Sequence, residues 1–560
     1  MMKKNLSVLI AILFLALLSH GELFCSDTSG TSGMVVTAHP LASELGLEVL
    51  KSGGNAVDAA VASALVIGAV EPHASGLGGG GAMLVYLSEQ DTLTYINYYA
   101  CAPEKVADGF DARHESSSAR SVLVPGTVAG LHYALSKYGA IPWNELVLLV
   151  IEKIRDGIVV DGAFHQIILD SYDKLLLDPR TRTTYLVNDF PPEPGHRLRN
   201  APLVATLQKL ASEGPDVFYR GEIADSIEAV MIRTGGGLRA ADLENYQVRE
   251  VPPLHGTYRG YDIFSSPPPH SGITVLETLN ILEFTDLRQS GDFVTSPASF
   301  HVMAEAMKLA SVDRLHYLGD PKFDPSYDDI LISKSFARAR FETIDMAKAH
   351  PVHPESMPAG DISRFLKTSA PAPYDKEGST THISIVDARG NAVSLTQTLN
   401  HFWGSGISVC GFLLNNGMTT FFEGDSLNRA QPGKQPRTTI APSILFRDDK
   451  LAIVLGTPGA GRILSTLVEV ICNLIDFDKD PHLANAAPRF YCQKSGTAIA
   501  VESRFDEALL QHLKAMGHSI EQYGEMDLFF GGVQLIMIDS NTGTFTGSSD
   551  PRRPGVALGY

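Results

Sequence analysis

Apolar and polar positions from Gly33 onward alternate between strand-like and helix-like runs. Residues 34–37 form a short apolar run that predicts a strand. Leu41, Leu45, Leu47 and Leu50 follow on one helical stretch, and Ser52-Gly53-Gly54 stops it. Residues 55–69 are rich in Ala and Val and apolar all round, which predicts a buried helix. The run Gly76-Leu77-Gly78-Gly79-Gly80-Gly81 then leads into the apolar stretch 82–87. Glycines before a strand allow close backbone approach or positive φ. A phosphate loop needs a following helix and a lysine, and this run has neither, so it is not read as nucleotide-binding.

The middle, residues 122–370, reads as mostly helical with proline-rich breaks. Pro125-Gly126-Thr127 opens a helix that runs to Tyr138, and Ser266-Pro267-Pro268-Pro269 is a rigid turn before a helix over 273–284. Residues 350–380 are rich in Pro, Ser, Asp and Gly, which predicts an exposed, accessible segment. Asp375 and Glu377 within it read as solvated. From Thr380 the pattern changes. His382-Ile383-Ser384-Ile385-Val386 reads as a strand, Asp387-Ala388-Arg389-Gly390-Asn391 as a turn, and 392–398 as a second strand. A hairpin centred on Arg389 places Thr380 opposite Thr398, two hydroxyls face to face at a strand start.

Composition narrows the class. The chain has 560 residues, 44% of them hydrophobic, which is enough for a large core. With 63 acidic and 45 basic residues the formal net charge is −18. That argues against a nucleic-acid partner and against attraction to anionic lipid. Lys3 and Lys4 precede an apolar run over 6–18, with Ser19 and Gly21 beyond it. This has the form of a secretory signal over residues 1–21, which predicts a secreted or periplasmic protein without a stable membrane span. An uncleaved anchor is the competing reading; lipidation at Cys25 is disfavoured by the bulky Phe24 before it. Cys101, Cys410, Cys472 and Cys492 are widely spaced, so no disulfide framework or zinc site is read from them.

Thr380-Thr381-His382, the hairpin, and Leu395-Thr396-Gln397-Thr398-Leu399-Asn400 resemble the processing site of the γ-glutamyltransferase (glutathione hydrolase) family. Gly53-Gly54-Asn55-Ala56-Val57-Asp58-Ala59-Ala60 and the glycine run resemble its opening signature. Pro125-Gly126-Thr127-Val128-Ala129-Gly130, Leu413-Leu414-Asn415-Asn416, Pro458-Gly459-Ala460-Gly461-Arg462 and Asp550-Pro551-Arg552 match further blocks in the same order. The resemblance implies an α+β fold of the N-terminal-nucleophile hydrolase kind, an αββα sandwich with two stacked sheets between helix layers. It implies a zymogen that cuts itself between Ser379 and Thr380, leaving a large chain, 22–379, associated with a small chain, 380–560.

The physical logic of such a cut is clear. A threonine hydroxyl is a weak nucleophile and needs a base. At a chain terminus the residue's own α-amine, with an ordinary pKa of about 8, can serve, whereas in the precursor that nitrogen is an amide. By resemblance, Thr380 is the nucleophile and Thr398 orients its hydroxyl. The amides of Gly459 and Ala460 form the oxyanion hole, and Asn400, Thr438 and Thr439 bind the substrate. The implied substrate is a small γ-glutamyl or acyl amide such as glutathione, the acceptor is water or an amine, and no metal or cofactor is implied. His382 reads as a structural strand residue, because the amine is the base.

The head-group contacts depart from the family. Ala102-Pro103-Glu104-Lys105 is followed by Val106-Ala107-Asp108, where the family has an arginine for the substrate carboxylate; Arg113 and Arg120 are near but not aligned. Gly417 and Thr420 stand where the family has a glutamine and an aspartate, the latter for the substrate amine. Each lost charged contact costs about 1.5–3 kcal/mol. The segment between Phe421 and Thr438 is short, which predicts a more open site. These departures raise a second reading, an acylase on the same engine with a non-γ-glutamyl or polymeric substrate. A third, from another class, is a non-catalytic secreted binding protein.

Overall fold

The computed structural model describes residues 28–106, 109–350, 358–362, 379–422, 424, 427–492 and 498–560. The signal assignment and Asp108, Asp375 and Glu377 lie outside the described residues, as does most of 350–380.

Two seven-stranded sheets stack face to face. The first runs, edge to edge, through Val556–Gly559, Gly33–Thr37, Ser379–Asp387, Ala392–Asn400, Gly80–Leu87, Thr92–Asn97 and Arg249–Val251. The second holds Thr28–Gly30, Phe545–Ser549, Gln534–Ile538, Lys450–Gly456, Ser443–Arg447, Tyr261–Ser265 and Leu254–Tyr258. Both are antiparallel throughout.

Strand alternation assigns the layers. Met34, Val36, Ala82, Leu84 and Val386 point into the gap between sheets and meet Ile444, Val454 and Ile536. Val35, Met83, Ile383, Ile385 and Leu395 point the other way, against the Ala/Val-rich helix Ala56–Val70 and its neighbours. Leu445, Ile453 and Leu535 of the second sheet pack against helices Gly272–Leu282, Pro297–Tyr317 and Arg462–Ile475. The order is helix, sheet, sheet, helix. The two central strands, Ser379–Asp387 and Ala392–Asn400, are buried at every position because both faces are covered.

The first helices form as the sequence predicts. Pro40–Lys51 ends at Ser52, and Gly53 follows at φ 96°. Helix Ala56–Val70 starts at a capping box in which Asn55 and Asp58 satisfy each other's backbone amides. The middle of the chain differs in part from the mostly helical expectation: Arg249–Val251 and Leu254–Tyr258 are edge strands of the two sheets, and Tyr261–Ser265 lies next to the latter edge. Their short, mixed-polarity pattern (exposed or half-exposed at most positions) carries little apolar periodicity. Among the described residues, no helix is long and apolar enough to cross a membrane.

Candidate active site

The hairpin takes the register that centring on Arg389 predicts. Thr381 faces Gln397, and His382 faces Thr396, down to Val386 opposite Ala392. At the open end Ser379 faces Asn400, so Thr380 sits at a bulge where two residues oppose one. There the Thr380 hydroxyl lies 3.2 Å from Thr398 Oγ1. Thr398 Oγ1 donates to the carbonyl oxygen of Ser379 and accepts the Asn400 amide at 2.8 Å. The chain is continuous through Ser379–Thr380 in this arrangement. Both threonines are 3% exposed.

The glycine run is what lets this end of the hairpin close. A Cβ on Gly79 would come within 2.4 Å of the Thr398 carbonyl oxygen, and one on Gly78 within 2.1 Å of the Leu413 carbonyl oxygen. Close approach is the purpose of these glycines. The other matching blocks meet here too. Gly126 and Thr127 donate to Gly79 O. Asn415 donates from Nδ2 to Gly78 O at 2.9 Å and to Leu123 O at 3.0 Å. Asn416 accepts the His401 amide at 3.0 Å.

Thr380, Thr398, Asn400, Thr438, Thr439 and Ala460 line one cleft. Gly459 and Ala460 turn between strand Lys450–Gly456 and helix Arg462–Ile475, with φ of 134° and 49°. Ala460 in the left-handed region carries a side-chain penalty of about 1–2 kcal/mol, so this turn is held by its surroundings. Asn400 accepts the Tyr99 hydroxyl on Oδ1 at 2.5 Å, while its buried Nδ2 has no protein partner.

His382 is fully buried between the sheets, and burial pushes its imidazole down to about 3. Nδ1 lies 2.8 Å from Thr396 Oγ1 and Nε2 3.2 Å from Ser384 Oγ. It is a neutral packing residue, as its strand position predicts. Next to Thr380, Thr381 donates to Glu71 Oε2 at 2.9 Å. Burial pushes that carboxyl up, and Arg553 acts against the rise.

The head-group departures have structural counterparts. Arg113 is exposed and Arg120 is bound to Glu115; neither lines the cleft. Thr420 does line it, but its hydroxyl donates to Gly417 O at 2.6 Å. A Cβ on Gly417 would lie 2.4 Å from Leu123 Cδ1, so no larger side chain fits there unaltered. Two cations that sequence reasoning missed, Arg314 and Arg437, form part of the cleft wall. Arg314 sits in the last turn of helix Pro297–Tyr317, 66 residues before Thr380 in sequence, where no local pattern marks it. Arg437 directly precedes Thr438-Thr439 and was findable by position.

One group of possible metal ligands occurs among the described residues: His301, Glu305 and His518. His301 Nδ1 lies 2.8 Å from His518 Nε2, and Lys308 places its ammonium 2.7 Å from Glu305. A shared proton and a lysine occupy these atoms, which does not suit a cation.

Stacked antiparallel sheets between helix layers, with a threonine-led strand at the centre, define an N-terminal-nucleophile hydrolase fold. Residues 42–560 match the family model described as Gamma-glutamyltranspeptidase, and the chain belongs to that family of enzymes. It is 35% identical to the glutathione hydrolase proenzyme of Bacillus subtilis (strain 168), over 95% of this chain and 92% of that protein. It is 36% identical to the glutathione hydrolase proenzyme of Escherichia coli (strain K12), over 93% and 90%. The structure of cephalosporin acylase from Bacillus halodurans superposes with a TM-score of 0.86 at 28% identity, covering 96% of this chain and 97% of that one.

Proposed function

We propose that the protein is a secreted zymogen that cuts its own Ser379–Thr380 bond and then hydrolyses or transfers small acyl amides, glutathione among them, through Thr380. The observation that carries this is the three-atom relay of Thr380 Oγ1, Thr398 Oγ1 and the Ser379 carbonyl oxygen. Thr380 Oγ1 attacks the Ser379 carbonyl carbon while Thr398 donates to the oxygen that gains charge. The C–N bond breaks, an ester forms, and water hydrolyses it. The products are a large chain, 22–379, ending in the Ser379 carboxylate, and a small chain, 380–560, beginning with a free amine.

That amine then takes the Thr380 hydroxyl proton as substrate binds. The acyl group moves to Thr380 Oγ1 as the substrate's C–N bond breaks, the substrate's amine leaves with the proton that the Thr380 amine returns, and water or another amine takes the acyl group. Gly459 and Ala460 amides face the developing oxyanion, a contribution of about 3–4 kcal/mol per donor. Asn400, Thr438 and Thr439 hold the acyl chain. The signal-like residues 1–21 support export. A second reading, an acylase not restricted to γ-glutamyl groups, is favoured by Thr420, whose hydroxyl is spent on Gly417 where the family carries an acid.

The test is a denaturing gel of the mature chain beside Thr380→Ala. Two wild-type bands, the smaller starting at Thr380, and one mutant band are expected, with glutamate released from glutathione only by the wild type. A single wild-type band would remove the amine base and the reading with it.

A further inference from the structure

The glycine run that closes the hairpin also brings a second segment against its open end. A Cβ on Gly80 would lie 2.5 Å from the Ala100 amide nitrogen and 3.0 Å from the Tyr98 carbonyl oxygen. Tyr98 and Gly81 exchange backbone hydrogen bonds at 3.0 and 3.3 Å. Tyr99, between these contacts, donates its hydroxyl to Asn400 Oδ1 at 2.5 Å. Tyr99 is itself a fixed post. Its amide donates to Asn97 Oδ1 at 2.9 Å, and its carbonyl accepts the Tyr246 hydroxyl at 3.0 Å and Gln435 Nε2 at 2.9 Å. Asn97 and Gln435 pair through both ends of their amides at 2.8 and 3.1 Å. The Tyr99 ring packs on His270 with centroids 5.3 Å apart, and all four of these side chains are buried.

Asn400 is the opposite case and needs holding. It ends strand Ala392–Asn400 at φ 80°, a left-handed backbone that asparagine adopts at some cost. In that conformation its backbone N–H donates to Thr398 Oγ1 at 2.8 Å. Thr398 Oγ1 is thereby fully used: it accepts from Asn400 and Thr380 and gives its one proton to the Ser379 carbonyl. Without the Asn400 N–H, a lone pair is released and the hydroxyl can turn away from that carbonyl. We propose that Tyr99 is a positioning residue for Thr398: its hydroxyl holds the Asn400 amide, and through it the turn whose N–H aims the Thr398 proton at the Ser379 carbonyl. This rests on the self-cleavage reading above and deepens it. Self-cleavage reads the link without any added substrate. A hydroxyl that merely satisfied a buried amide would leave the rate of the cut alone.

A double-variant cycle on self-cleavage tests it, followed as the growth of the two bands on a denaturing gel. Tyr99→Phe keeps the ring and removes the hydroxyl; Asn400→Gly removes the amide and keeps the left-handed turn accessible. Each is expected to cut about tenfold more slowly than wild type, the worth of one buried hydrogen bond. Combined, they should be no slower than Asn400→Gly alone, because both break one link. Asn400→Asp keeps an oxygen for the Tyr99 hydroxyl and should recover part of the rate lost in Asn400→Gly, but only while Tyr99 is present. Unfolding curves of the same variants on the Thr380→Ala chain establish that each is folded under the assay conditions, so that a slower cut reports the site. The proposal is overturned if Tyr99→Phe or Asn400→Gly cuts at the wild-type rate, or if the double variant is more than about threefold slower than Asn400→Gly. It is also overturned by an Asn400→Asp chain that is no faster than Asn400→Gly or is indifferent to Tyr99→Phe, and by a Tyr99→Phe chain that does not fold, which would make the hydroxyl a core contact alone. Each of these outcomes leaves self-processing intact. A wild-type chain that never cuts itself overturns both.

Discussion

Thr380 and Thr398 meet hydroxyl to hydroxyl at 3.2 Å across a bulge, and Thr398 also donates to the Ser379 carbonyl, the group that Thr380 would attack in the proposed self-cleavage. One side chain thus touches both groups that the proposed cut would bring into reaction. Thr398→Ala should slow self-cleavage by about 10²–10³, the loss seen when one oxyanion donor is removed. Thr398→Ser keeps the hydroxyl and should cut within about tenfold of wild type. A time course of the two bands on a gel decides. Equal rates for Ala and wild type would mean that the hydroxyl is only a cross-strand contact.

Gly79 tests whether the glycine run positions this end of the hairpin. Its Cβ would lie 2.4 Å from the Thr398 carbonyl oxygen, which is backbone and cannot swing aside. Gly79→Ala should cost about 1–3 kcal/mol of stability by overpacking and slow self-cleavage as well. Gly53→Ala is the control: nothing lies within 4 Å, and only its φ of 96° opposes the change. Denaturant unfolding together with the cleavage time course separates the two effects.

Much of this site was legible in the sequence. The hairpin register follows from a five-residue turn and two strands, because a period of two leaves few alternatives once both faces are buried. The glycine run advertised close approach, although not that its neighbours would be Thr398 and Leu413. Helix Pro297–Tyr317 was not legible in its role. It is buried nearly all round, with Glu305, Lys308, Asp313 and Arg314 inside, so no apolar stripe shows which side faces the cleft. Arg314 reaches the site through tertiary packing alone. The strands at and beside the sheet edges over 249–265 were missed because they are short and carry little apolar periodicity.

His382 gives a pH prediction with a definite sign. Its folded pKa is pushed from 6.5 to about 3 by burial, so between those values the unfolded chain binds the proton and the folded chain does not. Its contribution is complete above pH 6.5 and is lost as pH falls toward 3. The stability advantage of wild type over His382→Gln should shrink by about 1.4 kcal/mol per pH unit below 6.5. Unfolding curves at pH 7.5, 6 and 5 measure it. The pH profile of kcat/KM should meanwhile rise through the amine, near its ordinary pKa of about 8, with no imidazole limb. A constant stability difference would mean that His382 takes up its proton as readily in the fold as in the unfolded chain.

Arg552 closes a buried ionic network with Glu502 and Asp550. Its Nε lies 2.6 Å and its Nη2 2.9 Å from the Glu502 carboxylate, and Nη1 lies 3.2 Å from Asp550. All three residues are 6% exposed or less. Asp550 also takes Arg489 at 2.5 Å and the Val533 amide at 2.8 Å, and Arg489 donates to the Phe530 carbonyl at 3.0 Å. The next residue, Gly531, has its Cα 3.2 Å from where a Cβ on Gly459 would be, so the network braces the turn at Gly459–Ala460. Arg552→Met leaves Glu502 buried with Arg504 and the Arg489 amide beside it, and should cost about 3–5 kcal/mol. Pairing it with Glu502→Leu removes the stranded charge and should recover a large part of that loss. Measured in an uncut Thr380→Ala background, where one chain unfolds, the cycle isolates the pair. If the double variant lost the sum of the two single losses, the ion pair would be uncoupled, and the Asp550-Pro551-Arg552 block would owe its place to something other than this brace.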